Sequence, residues 1–203
     1  MYRPAAFTLD DDDAWDVVAR AGAATLVAQS ARGLSSVMVP VVVEERSRLL
    51  GHVARANPWW REVPDGAQVL ALFHVADAYV SPTYYPTKVE NPAVVPTWNY
   101  VVAEVHGTLR VHDDPHWVEA QARALVERFE SPREPRWFTD DAPAEYLERQ
   151  VRAIVGLEIE VTSLEAKAKL SQNRPAADVE GVRVALARGT DAERALAHEM
   201  GGA

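Results

Sequence analysis

The chain of 203 residues carries no cysteine and a formal net charge of −9, with 48% hydrophobic and 25% charged residues. That composition is ordinary for a globular protein with a sizeable core and excludes disorder. The missing cysteines exclude disulfides, thiolate metal sites, iron–sulfur clusters and a cysteine nucleophile.

Nucleic-acid binders carry a surplus of cations to meet phosphates. Here 30 acidic residues face 21 basic ones, and lysine occurs only at Lys88, Lys167 and Lys169, so direct DNA binding is not expected. The longest apolar stretch, Val37 to Val43, contains Pro40 and is too short to cross a bilayer. No basic start followed by an apolar run stands near Met1, so a cytoplasmic, soluble protein is expected.

The first helix should run from about Asp12 to Ala21, its aspartates at the positive end of the dipole and Gly22 at its stop. Short segments rich in Val and Leu come next: Ala24 to Ala28, Leu34 to Glu44, Arg48 to Val53 and Gln68 to Val75. Ala31-Arg32-Gly33 and Pro64-Asp65-Gly66 punctuate them, the spacing of strands in a meander or barrel. A longer strand is expected over Trp98 to Val111, with Gly107 as a bulge. Asp114 then caps a helix, with Pro115 in its first position and Val118, Ala122, Leu125 and Phe129 on one face.

A further helix, Ala144 to Ala153, should bury Leu147, Val151 and Ile154. Leu157 to Ser163 and Ala166 to Ser171 read as a strand pair, and a helical tail occupies about 176–203. There is no repeat, linker or βαβ alternation, so one domain over 1–203 is expected, an antiparallel barrel carrying helices.

No phosphate loop, dinucleotide fingerprint, nucleophile elbow or zinc-protease helix is present. His112, His116 and the Asp10 to Asp13 run read as solvated cap residues, and no metal site is expected. Three segments could carry chemistry. In Gly51 to Trp60 a strand ends in His52, Arg55 and Asn57. A guanidinium beside backbone N–H groups suits a phosphate, while Asn57 as a plain cap and Arg55 paired to a surface carboxylate is the other reading. In Val95 to Tyr100 two aromatics with Thr97 and Asn99 suit a planar ring at a barrel mouth, or else a proline-rich loop anchored by core aromatics. In Lys167 to Arg174 two of the three lysines meet an arginine, which suits an anion or a solvated turn.

Met1-Tyr2-x-Pro4, Gly51-His52-x-Ala54-x-Ala56-Asn57-Pro58-x-Trp60, Ala78 to Pro82, Val95 to Tyr100 and Lys169 to Asn173 together resemble the PaiB family, whose members are described as FMN-binding negative transcriptional regulators. The resemblance implies mainly β structure with helices (α+β): an antiparallel split β-barrel of the FMN-binding type with peripheral and C-terminal helices, a homodimer with flavin sites at its interface. It implies FMN on His52, Arg55, Ala56, Asn57, Trp60, Thr97, Trp98, Asn99, Lys169, Ser171 and Gln172. Arg55 would meet the phosphate, with His52, the backbone after Asn57 and Lys169 completing the cradle; no catalytic residue is assigned.

The chain departs from the family pattern at Met38 (usually histidine), Trp59 (glutamine), Glu104 (histidine) and Ala166 (glycine). The function implied is that of a regulator or accessory redox protein. The alternative is a heme b enzyme similar to piperazate synthase, which forms an N–N bond; its axial ligand would come from His52, His74 or His106. The intact Asn99-Tyr100 and Ser171-Gln172-Asn173 favour flavin.

Overall fold

The computed structural model describes residues 1–201. In chain order its elements are α1 (Asp11–Ala21), β1 (Ala23–Ser30), β2 (Gly33–Glu44), β3 (Arg48–Ala54), α2 (Trp59–Glu62), β4 (Gln68–Val80), β5 (Thr97–His112), α3 (Pro115–Glu130), α4 (Ala144–Arg152), β6 (Ile154–Lys169), α5 (Ala176–Leu186) and α6 (Asp191–Gly201). The strands are hydrogen-bonded in the order β1-β2-β3-β6-β5-β4 and close into a barrel, the mainly β fold with helices expected from the resemblance.

Local chemistry sets the turns. Gly33 takes φ 110° where β1 meets β2 at Ser30↔Gly33, and Gly66 takes φ 81° before β4. From there β1 and β2 pair antiparallel as far as Ala23↔Pro40. The other side of β1 pairs with β4, from Thr25↔Leu72 to Ala28↔Val69. β2 pairs with β3 from Val41↔Gly51 to Glu44↔Arg48, and β3 with β6 from Arg48↔Glu160 to Ala54↔Ile154. Asp10 caps α1 by accepting from the Asp13 amide at 2.9 Å, and Asp114 caps α3 by accepting from the His116 amide at 3.2 Å.

Contacts divide the chain into two compact units: Met1–Val17, His74–Ala103 and Glu165–Ala203 form the first, Val18–Phe73 and Glu104–Leu164 the second. The second unit buries Leu26, Val39, Leu49, Phe73, Leu109, Leu157 and Ile159, and α3 packs on β2 and β3 through Val118, Gln121 and Leu125. The first unit buries Val80, Val101, Ala103, Ala166, Val182, Leu186 and Leu196, with α5 against α6. Each fully buried Leu, Val or Phe stabilises its unit by about 1.5–3 kcal/mol.

Four expectations are corrected. The strand pair after Leu157 is one strand of 16 residues, β6. The expected break at Leu164-Glu165 is absent, and the N-terminal segment pairs with the residues just beyond it: Leu9 donates to the Ala166 carbonyl at 3.4 Å and Thr8 bridges to Lys167. Gly107 serves a close approach rather than a bulge, since a Cβ there would stand 2.5 Å from the Glu160 carbonyl oxygen. α4 buries none of its residues, and Ile154 belongs to β6. His112 is a strut, not a solvated cap: its ring stacks on Trp117 at 3.9 Å and its Nε2 lies 2.7 Å from the buried Glu158 carboxylate.

Candidate functional site

Two clusters collect the residues singled out by sequence, one in each unit. In the second unit, β3 ends where the Arg55 amide donates to the Ala153 carbonyl and the Asn57 amide to the Ala54 carbonyl, both at 2.8 Å. Asn57 Oδ1 accepts from the Trp59 amide at 3.0 Å, an Asx turn that leads into the single turn of α2. Ala56 is exposed at the tip.

The Arg55 guanidinium donates through Nε to the Arg152 carbonyl at 2.7 Å, and through Nη2 to Asp113 Oδ1 at 2.5 Å and the Ile154 carbonyl at 3.1 Å. The bond to Arg55 holds the Asp113 carboxyl below its ordinary value, and the same bond raises Arg55. The Arg55 carbonyl is a second hub, accepting from Trp60 Nε1 at 3.1 Å and Arg61 Nη1 at 3.2 Å, while the Arg61 guanidinium lies 4.1 Å from the Trp60 ring. Of the two arginines, sequence reasoning gave no role to Arg61.

His52 Nδ1 stands 2.7 Å from Oε1 of the buried Gln121, whose Nε2 donates to the Leu50 carbonyl at 3.4 Å. With Oε1 accepting, a neutral His52 carries its proton on Nδ1 and offers Nε2 as a lone pair. It can therefore donate to a phosphate through Nε2 only when protonated. Of the other imidazoles considered as axial ligands, His74 has Nε2 at 2.6 Å from Asp77, and His106 is exposed on β5.

In the first unit, the start of β5 meets the end of β6. Lys169 donates to Thr97 Oγ1 and, at 2.7 Å, to the Trp98 carbonyl. Asn99 is wholly buried; its Nδ2 donates to Ser171 Oγ at 2.8 Å, and its Oδ1 has no partner. Ser171 holds φ 69°. Gln172 folds back on the chain, accepting from the Leu170 amide at 2.7 Å and donating to the Ala168 carbonyl at 2.6 Å. Trp98 is 50% exposed, with Nε1 donating to Asp77 Oδ1 at 2.7 Å and Tyr79 edge-on at 6.3 Å. Thr97, Asn99, Lys169 and Ser171 line one cavity of about 130 Å³ together with Tyr85 and Arg174.

Tyr85 sits in a proline-rich loop. Of the aromatics clustered in the sequence, Trp59 and Tyr85 are buried within the chain and Trp98 is not. Among the departures from the family pattern, Met38 is 74% exposed on β2, Ala166 is buried in β6, and the buried Trp59 leaves its Nε1 without a partner.

A larger cleft, about 950 Å³, lies between α3 and α4. Its arginines are already paired, Arg123 with Glu119 and Asp140, and Arg152 with Glu148. Among the described residues, no helix is long and apolar enough to cross a membrane. In the second unit Arg55 and Arg61 offer guanidiniums that fit a phosphate; in the first, Trp98 offers an exposed indole that fits a planar ring.

Comparison with known proteins matches residues 1–163 to a family model described as "Putative FMN-binding domain". The protease synthase and sporulation protein PAI 2 of Bacillus subtilis is 29% identical over 182 residues, 88% of this chain and 85% of that protein. An uncharacterized protein of Emericella nidulans is 30% identical over 181 residues, 74% of this chain and 70% of its own length. Among solved structures, the FAD and heme binding protein from Mycobacterium smegmatis superimposes with a TM-score of 0.61 at 16% identity, over 89% of this chain and 79% of that one. At that identity the likeness speaks for the fold.

Proposed function

We propose, from the premise that the chain belongs to the FMN-binding-domain family, that it binds FMN as a homodimer and serves as a regulator or accessory redox protein. The observation that carries this reading is the pair of guanidiniums at the end of β3. The Arg55 guanidinium is paired with Asp113 and the charge of Arg61 also reaches that carboxylate, in a chain with a net charge of −9, so a doubly charged phosphate finds local compensation there. Arg55 Nη2 is committed to Asp113 and the Ile154 carbonyl, so Nη1 is the donor that would meet the phosphate. Bound flavin supplies reversible one- or two-electron transfer.

The homodimer rests on an apolar strip of the second unit. Met38 on β2 and Leu72 on β4 both flank Thr25 of β1, and Leu34 continues the strip; all three apolar side chains are exposed. Such a patch marks a contact surface. The regulatory effect would be indirect, because the charge balance opposes DNA.

The test is titration of FMN and riboflavin into wild type and Arg55→Ala. FMN should weaken by about ten- to a hundredfold, the scale of a lost bond between charged groups, and riboflavin by less than about twofold. Equal losses would mean that Arg55 supports the fold and not the phosphate. His52 favours a second reading, a heme ligated through its Nε2, because Gln121 already orients the ring as outer partners of metal-bound imidazoles do. The absorption spectrum of the purified protein separates them: flavin bands support the first, a Soret band lost in His52→Ala the second.

A further inference from the structure

The cavity of the first unit carries an anomaly that the flavin reading leaves unused. Tyr85 is only 3% exposed, its hydroxyl has no hydrogen-bond partner, and it lines the same cavity as Asn99 with its unpaired Oδ1. Five buried side-chain polar atoms among the described residues lack a partner, and two of the five belong to residues that line this one cavity. The Arg174 guanidinium lies over the Tyr85 ring, 4.9 Å from its centroid, so that its charge reaches the phenol without a well-formed bond to the hydroxyl. Lys169 supplies an ammonium, and no carboxylate is among the residues lining the cavity. Asp178, whose charge reaches Tyr85, is bonded to Thr87, accepting from its amide at 3.1 Å and from its hydroxyl at 2.9 Å.

These groups define a ligand by its chemistry. Two cations and a phenol hydroxyl ask for an anion with oxygen acceptors, and Asn99 Oδ1 asks for one donor. The volume, about 130 Å³, holds roughly four water-sized groups at about 30 Å³ each. Partial burial pushes the Lys169 ammonium below its ordinary value, and burial pushes the Tyr85 phenol above its own.

We propose that this cavity binds a small hydroxylated oxyanion, of the size of glycolate or hydrogen phosphate, held by Lys169, Arg174 and Tyr85 with its hydroxyl donated to Asn99 Oδ1. Tyr85 and Arg174 are the residues that make the site, and the site is independent of whether FMN binds elsewhere on the chain.

The test is calorimetric titration of sodium glycolate, inorganic phosphate and sodium formate into the full chain as purified, in an oxyanion-free buffer. Saturable binding of one equivalent of glycolate or phosphate is expected, with formate, which lacks the hydroxyl, about tenfold weaker. The preferred ion identifies the source, a hydroxycarboxylate or free phosphate. Tyr85→Phe keeps the ring and removes only the hydroxyl, so it should fold, and it should weaken binding by about tenfold. Arg174→Gln should do the same without altering the unfolding transition of the unliganded protein. No saturable binding of either ion, or binding that Tyr85→Phe leaves unchanged, overturns the proposal and assigns the cavity to water.

Discussion

Replacing Tyr85 by phenylalanine should stabilise the unliganded protein, an uncommon direction for a buried substitution. The change removes one oxygen that the fold buries without a partner. A buried, unpaired hydroxyl costs about 1–3 kcal/mol relative to water, where the unfolded chain keeps it. What the rest of the side chain does survives: the ring still fills its place and still faces Arg174 at 4.9 Å. The void left is smaller than a methyl group. Because the adjoining cavity admits some water, the lower end of the range applies, a gain of about 1 kcal/mol, or about 2–4 °C in Tm for a chain of this size.

Urea and thermal unfolding in Tris chloride measure it. Adding glycolate to a hundred times its Kd should then raise wild type by about 2.7 kcal/mol, but a variant binding tenfold more weakly by only about 1.4, so that the gap closes or reverses. A Tyr85→Phe variant that is less stable than wild type by about 1 kcal/mol or more without ligand would refute the reasoning, because the hydroxyl would then have a partner in the fold.

Three further outcomes are expected. The Asp113 carboxyl, held low by its bond to Arg55, should titrate below the ordinary aspartate range of about 3.9 in a carboxyl NMR experiment, and return to it in Arg55→Ala. Since its folded value is depressed, the stability it lends is present above the unfolded value and is lost as pH falls through the folded one. Gly156→Ala should destabilise by about 1–3 kcal/mol in denaturant, since its Cβ would intrude on the Trp117 ring, 2.6 Å from Cε3, and break the stack with His112. Met38→Glu places a charge in the apolar strip and should shift light scattering from dimer to monomer, with the circular dichroism spectrum unchanged; a mutant that stays dimeric would place the interface elsewhere.

The sequence by itself determined the features whose causes are local. Gly33 and Gly66 mark turns because they need left-handed φ, Asp114-Pro115 opens α3 because cap and ring geometry act within one turn, and alternation of Val and Leu reveals β1 to β4. The order of the motifs along the chain also sufficed to place it in its family.

Only the tertiary structure decided the rest, because the partners are distant in sequence. That Arg55 meets Asp113, 58 residues on, requires β6 to lie between β3 and β5, at whose end Asp113 stands, and the β3–β6 pairing brings Ile154 and Arg152 to the same guanidinium. The unbroken β6 depends on the N-terminal segment pairing with Ala166 and Lys167, which overrides the weak strand propensity of Leu164 to Lys169. Tyr85 acquires meaning only beside Asn99 and Arg174. An unpaired hydroxyl is a property of what surrounds it, and no local pattern encodes a missing partner.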